Sequence, residues 1–189
     1  MRLAVLLALL MTWSSASFAQ DLDALAKQPG FTVTKKIENG EEVVEIRKST
    51  VTIRKTKDGT TGFDSSPHGA VGCAWMSYIR LKAAADYCYP DSHAELRQDL
   101  AWTVDRLKKF IVANEIGPIT EAQLDAEVQR LADKWAKAPQ RPAGVERCPK
   151  GRTPADWLSD LEQMGHEKFR ADIDATLAEP RPPVNNPCF

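Results

Sequence analysis

The chain has 189 residues, of which 25 are Lys or Arg, 26 are Asp or Glu and 43% are apolar. A formal charge of −1 excludes a general nucleic-acid binder, which would need a basic face. The apolar content excludes a disordered chain, and the length suits one domain with a sizeable core.

Residues 1–19 read as a secretory signal peptide. Arg2 supplies the positive start, Leu3 to Met11 ("LAVLLALLM") the apolar stretch, and Ser17 and Ala19 the small residues before a cut at Gln20. The apolar stretch is too short for a membrane-spanning helix. No cysteine follows the cut to carry a lipid, and no later run is long enough to be transmembrane. The expected product is an exported chain of roughly 170 residues. It would be periplasmic if the source is a Gram-negative bacterium and secreted otherwise.

Asp21 to Gly30 allows a turn or two of helix before Pro29-Gly30 stops it. Residues 31–57 read as strand. "FTVTKKI" and "VVEIRK" flank Asn39-Gly40, the pair preferred in a tight hairpin because both turn residues need positive φ. That loop sets Val33 opposite Ile46 and Lys35 opposite Val44, and places Phe31, Val33, Ile37, Val44 and Ile46 on one face. The apolar parity switches at Ser49-Thr50, which predicts a bulge or turn and a third strand from Val51 to Lys55. "KDGTTG" is expected to end the sheet.

From Ser66 the period becomes helical. The first helix starts between Pro67 and Cys73, with Val71, Trp75, Tyr78, Ile79 and Ala85 along one stripe. Ser92 to Glu95 reads as a capping box for the second, whose seam is Leu96, Leu100, Val104, Leu107 and Ile111. A second box, Thr120 to Gln123, opens the third helix, with Leu124, Val128, Leu131 and Trp135 on its seam and Pro139 at its end. Thr153 and Pro154 open the fourth, which carries Leu158, Leu161, Phe169, Ile173 and Leu177. A proline-rich tail, residues 179–189, needs Cys188 to tether it. The expected class is α+β and mostly helical: an N-terminal hairpin or three-stranded sheet, then a four-helix array stapled by two disulfides. It forms one domain over residues 20–178, with the β region at 31–57 and the helical region at 66–178.

An even set of four cysteines, Cys73, Cys88, Cys148 and Cys188, in an exported chain predicts two disulfides. On one continuous helix Cys73 and Cys88 would stand about 22 Å apart. A disulfide needs Cα atoms within about 7 Å, so these two do not pair with each other. Four helices running up, down, up, down put Cys88 and Cys148 at one end and Cys73 and Cys188 at the other. The predicted bridges are Cys88–Cys148 and Cys73–Cys188.

Gly72-Cys73-Ala74-Trp75 resembles the cysteine–aromatic start of the papain-type helix, where a helix N-terminus stabilises a thiolate. That resemblance implies a cysteine hydrolase with Cys73 as nucleophile and His93 or His166 as base. The chain departs from the pattern: the Cys-Gly pair that precedes the nucleophile is missing, and every strand signal comes before Cys73. No Cys-x-x-Cys, His-x-x-x-His, Gly-rich phosphate loop or Gly-x-Ser-x-Gly occurs, so neither metal nor cofactor is expected. Three histidines, His68, His93 and His166, lack ligand spacing. Tyr87 and Tyr89 flank Cys88 in a tight connection, so at least one is expected at the surface. Arg54, Lys55 and Lys57 make the third strand locally basic, as edge strands often are. These five residues are the expected partner surface. The expected function is a non-enzymatic envelope protein that binds a protein or envelope component, of inhibitor or immunity type. The alternatives are the Cys73 hydrolase and an accessory protein that uses its hairpin edge for strand addition.

Overall fold

The structure is a computed structural model that describes residues 25–137, Cys148 and residues 155–188. The signal segment, Pro139, Thr153 and Pro154 lie outside the described residues. Four strands come first: β1 (Phe31–Glu38), β2 (Glu41–Lys48), β3 (Val51–Thr56) and β4 (Gly59–Asp64). Five helices follow: α1 (Val71–Cys88), α2 (Ala94–Asn114), α3 (Glu121–Ala136), α4 (Ala155–Met164) and α5 (His166–Leu177). The chain is α+β and mostly helical, as its sequence predicts, with one more strand and one more helix than expected.

The sheet is an antiparallel meander in the order β1-β2-β3-β4. Asn39 and Gly40 both take positive φ, 53° and 81°, and this turn sets Val33 opposite Ile46 and Lys35 opposite Val44. The parity switch is a second two-residue turn, Ser49-Thr50, with Ser49 at φ 54° and Val51 paired to Lys48. Lys57 and Asp58 turn the chain again, and "GTTGFD" continues as β4 rather than ending the sheet. Phe63 is the one large apolar residue in β4, so no alternation announces the strand. Its pairing with β3 forms it, and Gly62 leaves the room that the Val184 side chain fills.

One sheet face covers the body of the molecule. Val44 and Ile46 pack with Leu25, Phe31, Val33, Ile53 and Ile116, while Val51 packs with Ala70, Cys73 and Val184. Ile37 belongs to this face by parity yet stays 71% exposed, because no described residue covers the hairpin tip. The opposite face carries ion pairs instead: Lys36 with Glu38 at 2.8 Å, Arg47 with Glu45 at 2.6 Å, and Arg54 with Glu38. Exposed pairs of this kind contribute little stability each.

α1 is the central helix, with Val71, Ile79, Ala84 and Ala85 fully buried and its neighbours α2, α3 and α4. α3 opens on the expected capping box: Thr120 Oγ1 accepts from Gln123 N–H at 3.3 Å, and Gln123 Oε1 accepts from Thr120 N–H at 2.8 Å. α2 does not use its box. His93 precedes it in the left-handed region at φ 52°, its ring stacked on Tyr89 at 4.0 Å, and no side chain caps the helix. The expected fourth helix is two, because Gly165 at φ 82° breaks it between Met164 and His166.

Both predicted disulfides are present, Cys73–Cys188 with Cα atoms 5.2 Å apart and Cys88–Cys148 at 5.4 Å. They sit at opposite ends of α1. The C-terminal segment, Arg181 to Cys188, is a strap laid across the junction of sheet and helices. Gly72 N–H donates to the Val184 carbonyl and Asp64 N–H to the Asn186 carbonyl, both at 2.8 Å. A β-carbon on Gly72 would overlap the Val184 carbonyl and the Asn185 side chain. Gly72→Ala is therefore expected to lower stability by about 1–3 kcal/mol, read as a lower urea midpoint at unchanged slope. An unchanged midpoint would mean that the strap does not lie on α1.

Candidate functional site

Two of the concavities on the helical body bring together residues singled out in the sequence. The first lies beside the strap. The positions Ala70, Ala74, Ser77 and Leu81 share one face of α1 and line it, since residues three and four apart stack on a helix. Small side chains there leave a hollow of about 280 Å³. Tyr78 and His68 add polar groups, Cys73 and Pro187 form the strap side, and Trp157 stands at the rim. Trp157, in the first turn of α4, is 55% exposed, which is unusual for so large an apolar side chain. Tyr78 packs edge-on to Phe169 at 5.7 Å. Burial, and then the Asp172 carboxylate, push its phenol above the ordinary range, so it remains a neutral donor at physiological pH.

The second is a cleft of about 160 Å³ between the start of α2 and the α4–α5 break. Asp99, 3% exposed, accepts from Arg170 Nε at 2.8 Å and faces His166 Nδ1 at 2.9 Å. A carboxylate oxygen accepts from a ring N–H, so this contact orients the His166 imidazole at the cleft wall. His93 lies on the other wall, 3.6 Å from Glu162. An oriented imidazole can move a proton. Among the described residues the cleft lining holds no Ser, Thr or Cys. Arg170 also lies over the Trp102 ring at 4.8 Å. The cluster clamps α5 onto α2.

The hydrolase constellation is not assembled. The Cys73 sulfur is bonded to Cys188 and faces the first hollow, whereas His93 and His166 line the second. A bonded sulfur is not a thiolate, so Cys73 cannot act as a resting nucleophile. Among the described residues no three His, Cys, Asp or Glu side chains are grouped to hold a metal ion, and no helix is long and apolar enough to cross a membrane.

The five residues of the expected partner surface do not meet. Tyr87 and Tyr89 end α1 and are half-buried, Tyr87 against Trp135 at 5.2 Å and Tyr89 against His93. Arg54, Lys55 and Lys57 belong to the sheet, which packs at the other end of α1. α1 has 18 residues, so about 27 Å separates its ends. Arg54 and Lys57 are paired to Glu38 and Glu41, and β3 is an interior strand flanked by β2 and β4, so the expected basic edge does not exist. The Trp157 hollow was not foreseen. Its only sequence signal is the run of small residues on one face of α1, which reads as ordinary helix packing. Against protein-family models, curated proteins and solved structures the chain finds no match, so the reading of the site rests on its own geometry.

Proposed function

We propose that this chain is an exported, non-enzymatic protein that binds a macromolecular partner of the envelope through Trp157 and the hollow beside it. The observation that carries this reading is an exposed tryptophan at the rim of an apolar hollow, on a frame held by two disulfides. Tryptophan dominates binding hot spots because it buries a large rigid surface at small entropic cost. The hollow gives an incoming side chain an apolar wall, with Tyr78, His68 and Ser77 to orient it. A pre-formed site of this kind suits an inhibitor or immunity-type protein, which must meet its target without rearrangement. The half-buried tyrosines and the sheet cations contribute no contact in this reading.

A photoreactive phenylalanine placed at position 157 in living cells tests it. The expected result is one discrete cross-linked partner, absent when the probe replaces the exposed Phe63 on the sheet. Trp157→Ala should weaken that partner's binding at least about tenfold and leave the thermal midpoint unchanged. Equal capture from both positions, or binding indifferent to Trp157→Ala, would remove the hollow as the contact.

A further inference from the structure

The outer edge of β1 is unpaired among the described residues. Its geometry is set by the Asn39-Gly40 turn. A two-residue loop makes Glu38 and Glu41 the pair that exchanges both backbone hydrogen bonds, and the pattern alternates from there. Thr32, Thr34, Lys36 and Glu38 therefore aim their peptide groups at β2. Phe31, Val33, Lys35 and Ile37 aim theirs outward. Phe31 N–H agrees, since it donates to the Gln28 carbonyl at 3.3 Å and not to β2. β4, the other edge, already receives the strap at Asp64.

We propose that the β1 edge pairs with the same edge of a second copy of this chain, antiparallel, about a twofold axis through Thr34. This register sets Val33 opposite Lys35 of the second copy and Phe31 opposite Ile37 of the second copy. Outward peptide groups then meet outward peptide groups, Phe31 N–H excepted because it donates to Gln28, and the apolar faces of both sheets stay on one side. A slip of one residue fails on both counts, because it mates outward groups with inward ones and flips the faces.

Slips of two residues keep the parity but are worse. Moving the axis to Lys35 places two lysines directly opposite each other, which is destabilising. Moving it to Val33 sets Ile37 opposite Pro29, which has no N–H to donate, and leaves Ile37 uncovered. With the axis at Thr34, no like charges stand directly opposite: Lys35 meets Val33, Lys36 meets Thr32 and Glu38 meets Gly30. The same register covers Ile37, at 71% the most exposed large apolar side chain among the described residues, with the Phe31 ring of the second copy. That ring already lies beneath Lys48 Nζ, 4.6 Å from its centroid. Two strands make a small interface, below the roughly 1,200 Å² of a standard complex, so the association is reversible and weak. It leaves the Trp157 hollow free and does not depend on it.

Thr34→Cys tests the register directly. All four native cysteines are bonded, so the new thiol is the only free one. On the axis the two β-carbons would stand about 4.5–5.5 Å apart, close enough to bridge after small adjustment. Mild oxidation should give a covalent dimer on a non-reducing gel, at least about tenfold more than Lys36→Cys gives. In sedimentation equilibrium the unmodified protein should rise toward twice its monomer mass between about 1 and about 500 µM. Val33→Pro removes an outward N–H and changes a half-buried side chain beside Val44 and Ile46, and it should raise that midpoint at least about tenfold with an unchanged circular dichroism spectrum. If Val33→Pro disturbs the fold, Ile37→Lys, at a solvent-exposed position, should produce the same shift. A monomer at every concentration, equal cross-linking at positions 34 and 36, or a dimer indifferent to the Val33 and Ile37 changes would overturn the proposal.

Discussion

Replacing Arg181 by methionine is expected to lower the unfolding free energy by about 3–5 kcal/mol, the cost of leaving a buried charge without its partner. The Asp64 side chain is completely buried and that of Arg181 is 3% exposed, with Nε donating to Asp64 Oδ2 at 2.6 Å. Thr50 Oγ1 and Ser66 N–H also donate to Asp64, at 2.6 and 2.8 Å. Arg181 further donates to the carbonyls of Thr176 and Gly69, at 2.9 and 3.2 Å. One guanidinium thus ties β4, the approach to α1, the end of α5 and the strap. Adding Asp64→Asn to Arg181→Met removes the stranded charge and should restore part of the loss. Urea unfolding of the two variants checks this. A loss under about 1 kcal/mol for the single change would show that the strap is held by other contacts.

The second large effect is expected from Cys73→Ala with Cys188→Ala. That bridge spans a sequence separation of 115 residues. In the chain-entropy account its removal costs about 4–5 kcal/mol. The local signature is more informative than the total. Protection from hydrogen exchange should fall at the Gly72 and Asp64 amides, whose acceptors are on the strap, while α2 amides such as Leu107 keep theirs. The bridge Cys88–Cys148, with a separation of 60 residues, should behave differently. Its removal loosens the end of α1 near Leu96 and Leu158 and spares Gly72, because those side chains pack around Cys88 and Cys148. If Gly72 stays protected without Cys188, the buried Arg181–Asp64 pair alone holds the strap in place.

The parts of this structure legible in the sequence are those with a local cause. Asn39-Gly40 dictated both a turn type and a register, and the register followed residue for residue. Helix length and the reach of a disulfide excluded Cys73–Cys88, and an up-down order of the helices selected the pairing that the structure shows. Of the parts that were not legible, some have distant causes and others are local departures from the expected pattern. β4 is a strand because β3 pairs with it across a two-residue turn and Val184, far along the chain, fits over Gly62. Ser92 would cap α2 in an isolated peptide, but His93 stacks on Tyr89 and turns the backbone left-handed. The break at Gly165 interrupts an apolar stripe that runs on across it from Leu158 to Ile173. Asp99 stands 67 and 71 positions before His166 and Arg170, which share α5, so no local motif could join the three. The Trp157 hollow has the same origin, since its walls come from α1, the strap and α4.

The central claim is that the four cysteines are structural and that the site lies on the surface they brace. A non-reducing peptide map of the protein, alkylated before any reductant is added, tests it most directly. The account predicts no labelled cysteine and two linked peptide pairs, Cys73 with Cys188 and Cys88 with Cys148. Label on Cys73, or a peptide linking Cys73 to Cys148, would contradict it. Label on Cys73 would also make the cysteine-nucleophile reading, until then an alternative, the leading one.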